Sequence, residues 1–170
     1  RLAGYVPIVA DLEKDGLSVD LRDLEQKITT QTQLVLVTHL ARYATDMKQI
    51  LRITKPRGIF VIEDCSQAVT SSINNQKLGT FGDAAIFSLS LLKPICTING
   101  GFILSEDRTL IEKLREQTNS WPSTSRVTLL MGAIKNLIIK LATSSTIFTL
   151  FTRKVLSMRN VTFDLLSKFQ

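Results

Sequence analysis

The sequence has only two cysteines, Cys65 and Cys96, and a single histidine, His39. Two thiols cannot build a disulfide framework, and no Cys/His group has the spacing of a zinc site. A charged-then-apolar export leader is missing as well, so a reducing cytoplasm is the expected compartment. A membrane-spanning helix needs about 20 largely uncharged residues. The only candidate, 127–141, is interrupted by Lys135 and Lys140, which argues against a span. Repeats and low-complexity tracts are absent, and 44% apolar beside 21% charged residues excludes disorder across the whole chain. Acidic residues are scarce in one region: 119–170 holds seven Lys or Arg against the single Asp164, whereas 1–118 is balanced. All of the net charge of +6 therefore arises in the last third.

Short apolar runs recur through the first two thirds of the chain, at 6–10, 34–38, 59–62, 84–88 and 101–104. They read as buried strands. Helical periodicity separates several of them. Asp20 is placed to cap a helix that has Leu21, Leu24 and Ile28 on one face. Thr45 precedes a second, with Met47, Ile50 and Leu51, that stops at Pro56 and Gly58. A third is predicted over 106–117, capped by Ser105, with Leu110, Ile111 and Leu114 inward. Alternating strands and helices, with strands apolar on both faces, predict a three-layer α/β/α arrangement around a mainly parallel sheet. Beyond Trp121 and Pro122 the sequence becomes Ser/Thr-rich and apolar with interspersed lysines, giving one or two amphipathic or core helices over 127–141 and 147–156. The expected division is a domain over 1–118 followed by a basic, apolar helical segment over 119–170. A chain that opens on Arg1 and runs at once into strand-like sequence is expected to be the central part of a longer protein.

In open α/β sheets ligands collect at the carboxyl ends of strands, so the polar residues after each apolar run are the first candidates for chemistry. Glu63, Asp64 and Gln67 follow one run; Ser88 and Lys93 follow another. Pro94 holds Lys93 away from helical geometry, and Gly100 and Gly101 leave room for close backbone approach. An acid after one strand and a lysine after a later one is also what a structural ion pair looks like.

The local strings are more specific than the spacing. HLARYATDM (39–47), VIEDCSQA (61–68), LGTFGDAAIFS (78–88) and FSLSLLKPICTINGG (87–101) occur in this order, after GYVPIVADLEKDGLSVDLRDLEQKIT (4–29). Over about residues 3–117 this resembles the DegT/DnrJ/StrS family of pyridoxal-phosphate-dependent sugar aminotransferases, of the aspartate aminotransferase fold type. The resemblance implies part of the cofactor-binding large domain and an enzyme that aminates a nucleotide-linked keto sugar in polysaccharide biosynthesis, with glutamate as amino donor. It implies that Lys93 forms the internal aldimine with pyridoxal 5'-phosphate and then shuttles a proton. It implies that Asp64 pairs with the pyridine nitrogen, that Gln67 lies beside the ring and that Ser88 donates to the cofactor phosphate. It also implies a homodimer that completes the site across its interface. A dehydratase of the same fold is disfavoured, since those relatives carry histidine in place of the lysine. Departures from the family at Ala41, Arg42, Ser90, Leu91 and Leu92 bear on substrate specificity rather than on cofactor attachment.

Each role has a structural competitor. Lys93 can be a solvated loop lysine, Asp64 a helix cap, and Gln67 and Ser88 structural side chains. His39 reads as a satisfied core residue, Cys65 and Cys96 as buried thiols, and Asp83 as a turn residue. The functional alternative is a non-catalytic truncated or degenerate relative, serving as a scaffold, or a gene fragment. For 119–170, helices packing on another part of the protein are preferred over peripheral contact with an anionic membrane. The tail carries no nucleic-acid-binding motif.

Overall fold

The computed structural model describes residues 4–14, 16, 18–40, 44–90, 93, 95, 97, 100–145 and 149. Cys96, Ala41, Arg42, Leu91, Leu92, Pro94 and the segment 147–156, apart from Thr149, lie outside the described residues. Two compact units result, Arg1–Pro122 and Ser123–Gln170.

In the first unit, Asp20 ends its extended approach by accepting hydrogen bonds from the N–H groups of Arg22 and Asp23, which starts helix α1 (Leu21–Lys27). A cap of this type is worth about 1 kcal/mol. Strand β1 (Leu34–Thr38) follows and alternates exposed and buried side chains. Asp46, one residue after the expected cap, performs the same office for α2 (Met47–Thr54). A 3-10 turn over Lys55–Arg57 with Pro56 inside it ends that helix and feeds strand β2 (Phe60–Asp64). Strand β5 (Ala84–Ser88) comes after a small hairpin, β3 (Ser72–Ile73) and β4 (Gln76–Lys77). Asn74 and Asn75 sit at positive φ at the hairpin tip, as a tight two-residue turn requires. Strand β6 (Gly101–Leu104) and α3 (Arg108–Asn119) complete the unit. Asp107, rather than Ser105, caps α3, because the Ser105 hydroxyl donates to the Asp83 carbonyl and accepts from the Asp107 N–H.

The main sheet has the order β1-β2-β5-β6. β1, β2 and β5 are mutually parallel, in a register that sets Thr38 beside Asp64 and Asp64 beside Ile86. β6 is antiparallel to β5, with Gly101 opposite Ser88. The expected α/β class with a mainly parallel sheet is what forms. Crossing from β1 to β2 through a helix brings α2 over one sheet face, where Leu24, Val35, Val37, Met47, Ile50, Ile59 and Val61 make a core. A second cluster joins Cys65, Ala68, Leu78, Ala85 and Phe87, and Phe87 stacks on Phe102 with ring centroids 4.5 Å apart. On the other face of β1, Leu34 and Leu36 are exposed. Gly101 fits only without a side chain, since a Cβ there would collide with the carbonyl of Phe87.

The strand expected at 6–10 does not form. Val6, Ile8 and Val9 are exposed, and the nearest pairing is one bridge between Leu12 and Val19. An apolar run becomes a strand only when a neighbouring backbone accepts its hydrogen bonds, and among the described residues no strand lies beside it. The segment is instead tied to α1, through the Asp11 N–H to Asp23 and through Lys27 Nζ to the Val9 carbonyl.

In the second unit, α4 (Arg126–Ala142) is capped by Ser125, whose hydroxyl accepts from the Thr128 N–H. Among the described residues no helix is long and apolar enough to cross a membrane.

Candidate functional site

Parallel strands that leave the sheet at the same edge deliver their last side chains to that edge. Asp64 ends β2 and Ser88 ends β5. Paired residues of parallel neighbours share a face, so Asp64, its partner Ile86 and Ser88 two residues on lie on one side of the sheet. Both side chains are half-buried. The Asp64 backbone is held from both sides: its carbonyl accepts from the His39 N–H at 3.0 Å, while the next residue, Cys65, donates its N–H to the Ile86 carbonyl at 2.9 Å. The Asp64 carboxylate accepts from the Ser66 N–H at 2.9 Å through Oδ1. No helix starts there, so the helix-cap reading of Asp64 does not hold; the bond closes a turn. Gln67 lies in that turn and is exposed.

The Ser88 hydroxyl lies 2.9 Å from the Ser90 hydroxyl, so two hydroxyls stand together where one was expected. The chain then leaves the edge in a loop that returns to β6. The loop is closed by the Leu89 N–H to Gly100 and the Thr97 N–H to Leu89. Lys93 is in this loop, half-buried, its N–H donating to the Ser90 carbonyl at 3.2 Å. Among the described residues Lys93 makes no ion pair, unlike Lys27, which holds Asp23 at 2.7 Å. The topology therefore brings Asp64, Ser88 and the Lys93 loop to one sheet edge, with Gln67 on the turn beside it.

Directly behind Asp64, on the opposite face, lies a cluster the sequence did not disclose. Glu63 is fully buried. Its Oε1 accepts from the N–H groups of Phe81 at 2.7 Å and Gly82 at 2.8 Å. Its Oε2 accepts from the Gly79 N–H at 2.9 Å and lies 3.2 Å from Nε2 of His39. The Thr45 N–H can only donate, so Nδ1 of His39, 3.3 Å away, is the acceptor and Nε2 carries the proton toward Glu63. Burial pushes the Glu63 pKa up, but the bonds from His39 and from the N–H groups of Gly82, Gly79 and Phe81 outweigh it and hold the carboxyl below its ordinary range. One carboxylate thus ties the ends of β1 and β2 to the turn before β5. Gly82 is needed in that turn, because a Cβ would stand 2.7 Å from the carbonyl oxygen of Val61.

The ligand atoms of His39, Glu63 and Cys65 lie within 4.8 Å of one another. They do not form a free metal cage, because both Glu63 oxygens are already saturated by donors. The Cys65 thiol is pushed up to about 12, by burial first and then by the Glu63 and Asp64 carboxylates. His39 and Cys65 are therefore core groups, in line with their sequence reading. Asp83 likewise serves a turn, accepting the Val61 N–H at 2.7 Å.

Residues 1–127 match the DegT/DnrJ/EryC1/StrS aminotransferase family. The chain belongs to that family. It is 37% identical over 113 residues to a GDP-perosamine synthase of Escherichia coli O157:H7, covering 66% of this chain and 31% of that protein. It is also 30% identical, over 113 residues, to a UDP-4-amino-4,6-dideoxy-N-acetyl-beta-L-altrosamine transaminase of Helicobacter pylori, covering 66% of this chain and 30% of that protein. Among solved structures, Helicobacter pylori PseC, an aminotransferase in pseudaminic acid biosynthesis, superposes with a TM-score of 0.66 at 27% identity, covering 74% of this chain and 34% of that one. The E. coli GDP-4-keto-6-deoxy-D-mannose-3-dehydratase with bound hydrated PLP gives 0.60 at 27% identity, covering 70% and 32%. The chain thus spans about a third of the length of these family members.

The donor set at the sheet edge fits a pyridoxal phosphate: a carboxylate with one oxygen engaged by the backbone, a pair of hydroxyls, and a lysine without an ion-pair partner among the described residues.

Proposed function

We propose that this chain supplies the core of the cofactor site in a pyridoxal-phosphate-dependent aminotransferase acting on a nucleotide-linked keto sugar, with glutamate as amino donor. The observation that carries the reading is the convergence of Asp64, Ser88 and the Lys93 loop at the carboxyl edge of β2 and β5, in a chain of this family. The names of the relatives support the substrate class: a GDP-perosamine synthase and a transaminase of a UDP-linked amino sugar.

Pyridoxal phosphate, when bound, supplies an electron-accepting ring. Asp64 holds a proton on the pyridine nitrogen, which keeps that ring electron-poor. Its backbone is pinned between β1 and β5, so the carboxylate stays in place without a helix to support it. Ser88, backed by Ser90, donates to the phosphate. Gln67, exposed on the turn after β2, would flank the ring. Lys93 Nζ would hold the cofactor and would then serve as the acid and base that carries the proton of the amino donor. The remaining parts of the site come from the rest of the protein and from a second subunit of a homodimer.

Borohydride reduction with pyridoxal phosphate on the longest native form of the protein, followed by peptide mapping, tests this. A reduced adduct confined to Lys93, and lost in Lys93→Ala, is expected. Adducts scattered over other lysines, or none on folded protein, would refute the assignment and leave the non-catalytic scaffold as the reading.

A further inference from the structure

Strand β5 ends on Ser88, and the next polar side chain along the chain turns back onto it. The Ser90 hydroxyl oxygen stands 2.9 Å from that of Ser88, and the Ser90 N–H donates to Ser88 Oγ at 3.4 Å. Ser90 is held on its other side as well, since its carbonyl accepts from the Lys93 N–H at 3.2 Å. Both serines are half-buried. Gly101 is the cross-strand partner of Ser88 on β6, so that neighbour brings no side chain over the hydroxyls.

Two hydroxyls carry two protons, and the bond between them uses one, whichever serine donates. The other is left to point outward, and among the described residues no acceptor takes it up. A phosphate oxygen is a better acceptor than a neighbouring hydroxyl, because hydrogen bonds to a charged group are roughly twice as strong as neutral ones. An anion in front of the pair therefore draws the second proton outward too and gains two donors instead of one. We propose that Ser90 is a second hydroxyl ligand of the cofactor phosphate beside Ser88, an inference that rests on the cofactor role proposed for this edge. The sequence sets Ser90 among the departures that bear on substrate specificity; its contact with Ser88 moves it to cofactor attachment. The turn closed between Ser90 and Lys93 then meets the cofactor twice, at the phosphate through Ser90 and at the aldehyde through Lys93.

Equilibrium binding of pyridoxal phosphate, and of pyridoxal, which lacks the phosphate, to the longest native form of the protein separates this role from a structural one. Ser90→Ala should weaken pyridoxal phosphate by about tenfold or more, as the loss of a hydrogen bond to a charged group requires. Pyridoxal should stay within about twofold. A disturbed Lys93 loop would instead lower both affinities alike. On a Ser88→Ala background the same substitution should again weaken pyridoxal phosphate selectively, because Ser90 still reaches the phosphate there. Circular dichroism confirms that each variant is folded. Equal losses for the two ligands, unchanged binding of pyridoxal phosphate, or no further loss on the Ser88→Ala background would each overturn the proposal. The wild type reports separately on the cofactor role itself. Without a reduced adduct at Lys93 in the wild type, that role and this inference fall together; with the adduct present and the affinity ratio unmoved by Ser90→Ala, this inference falls alone.

Discussion

Replacing Glu63 by Gln changes one oxygen for an NH2 group and almost nothing in volume, so no cavity contributes to the result. Four donors converge on the native carboxylate: the N–H groups of Gly79, Phe81 and Gly82, and His39 Nε2. Each oxygen takes two of them. An amide has one carbonyl oxygen, so whichever way it is turned its NH2 faces two donors. His39 cannot relieve this by moving its proton to Nδ1, because Nδ1 faces the Thr45 N–H. Two buried donors therefore lose their acceptor, at ~1–3 kcal/mol each, a total of about 2–6 kcal/mol. That is a large fraction of the ~5–15 kcal/mol stability of an ordinary domain. Urea unfolding of wild type and variant should show the midpoint falling by this amount, while the exposed Glu106→Gln stays within about 0.5 kcal/mol. The pH dependence has a definite sign. A carboxyl held below its ordinary range when folded adds stability that is fully present above its unfolded pKa and is lost as pH falls through the folded value. The gap between wild type and Glu63→Gln should therefore be widest near neutrality and should narrow in acid. A loss below about 1 kcal/mol, or a gap that does not change with pH, would refute the reading of Glu63 as an ionised, donor-saturated anchor.

Cys65, buried and with its thiol pushed up to about 12, should resist iodoacetamide in folded protein at mildly alkaline pH and react fully in denaturant, as read by mass spectrometry of its peptide. Alkylation at native conditions would show that the Cys65 environment opens readily. Gly82→Ala, whose Cβ would meet the Val61 carbonyl oxygen, should destabilise the chain by about 1–3 kcal/mol in the same urea assay, since backbone must move to admit it. It should also weaken the hold on Glu63, so its cost and that of Glu63→Gln should not add in the double variant. A purely additive double variant would separate the turn from the carboxylate.

The strands of the main sheet were legible because an apolar run bounded by polar residues is a local pattern, and the ranges read for β1, β5 and β6 coincide with those formed. The caps were legible to within a residue or two for the same reason, since Asp20, Asp46 and Asp107 act on N–H groups two or three residues away. The motif strings placed Asp64, Gln67, Ser88 and Lys93 in order along the chain. Only the tertiary structure decided which of them share an edge, because that depends on register: Asp64 beside Ile86 sets Ser88 on the face of Asp64 and turns Glu63 to the other. The sequence marked Glu63 only as a polar residue after an apolar run and did not show what it binds. Its partners are 16 to 24 residues away, and three of them are backbone N–H groups, which carry no residue identity. The same limit explains the error at 6–10, where composition asks for a strand and no neighbouring backbone answers. Local chemistry determined the elements and the candidate residues, and long-range hydrogen bonding decided which of them meet.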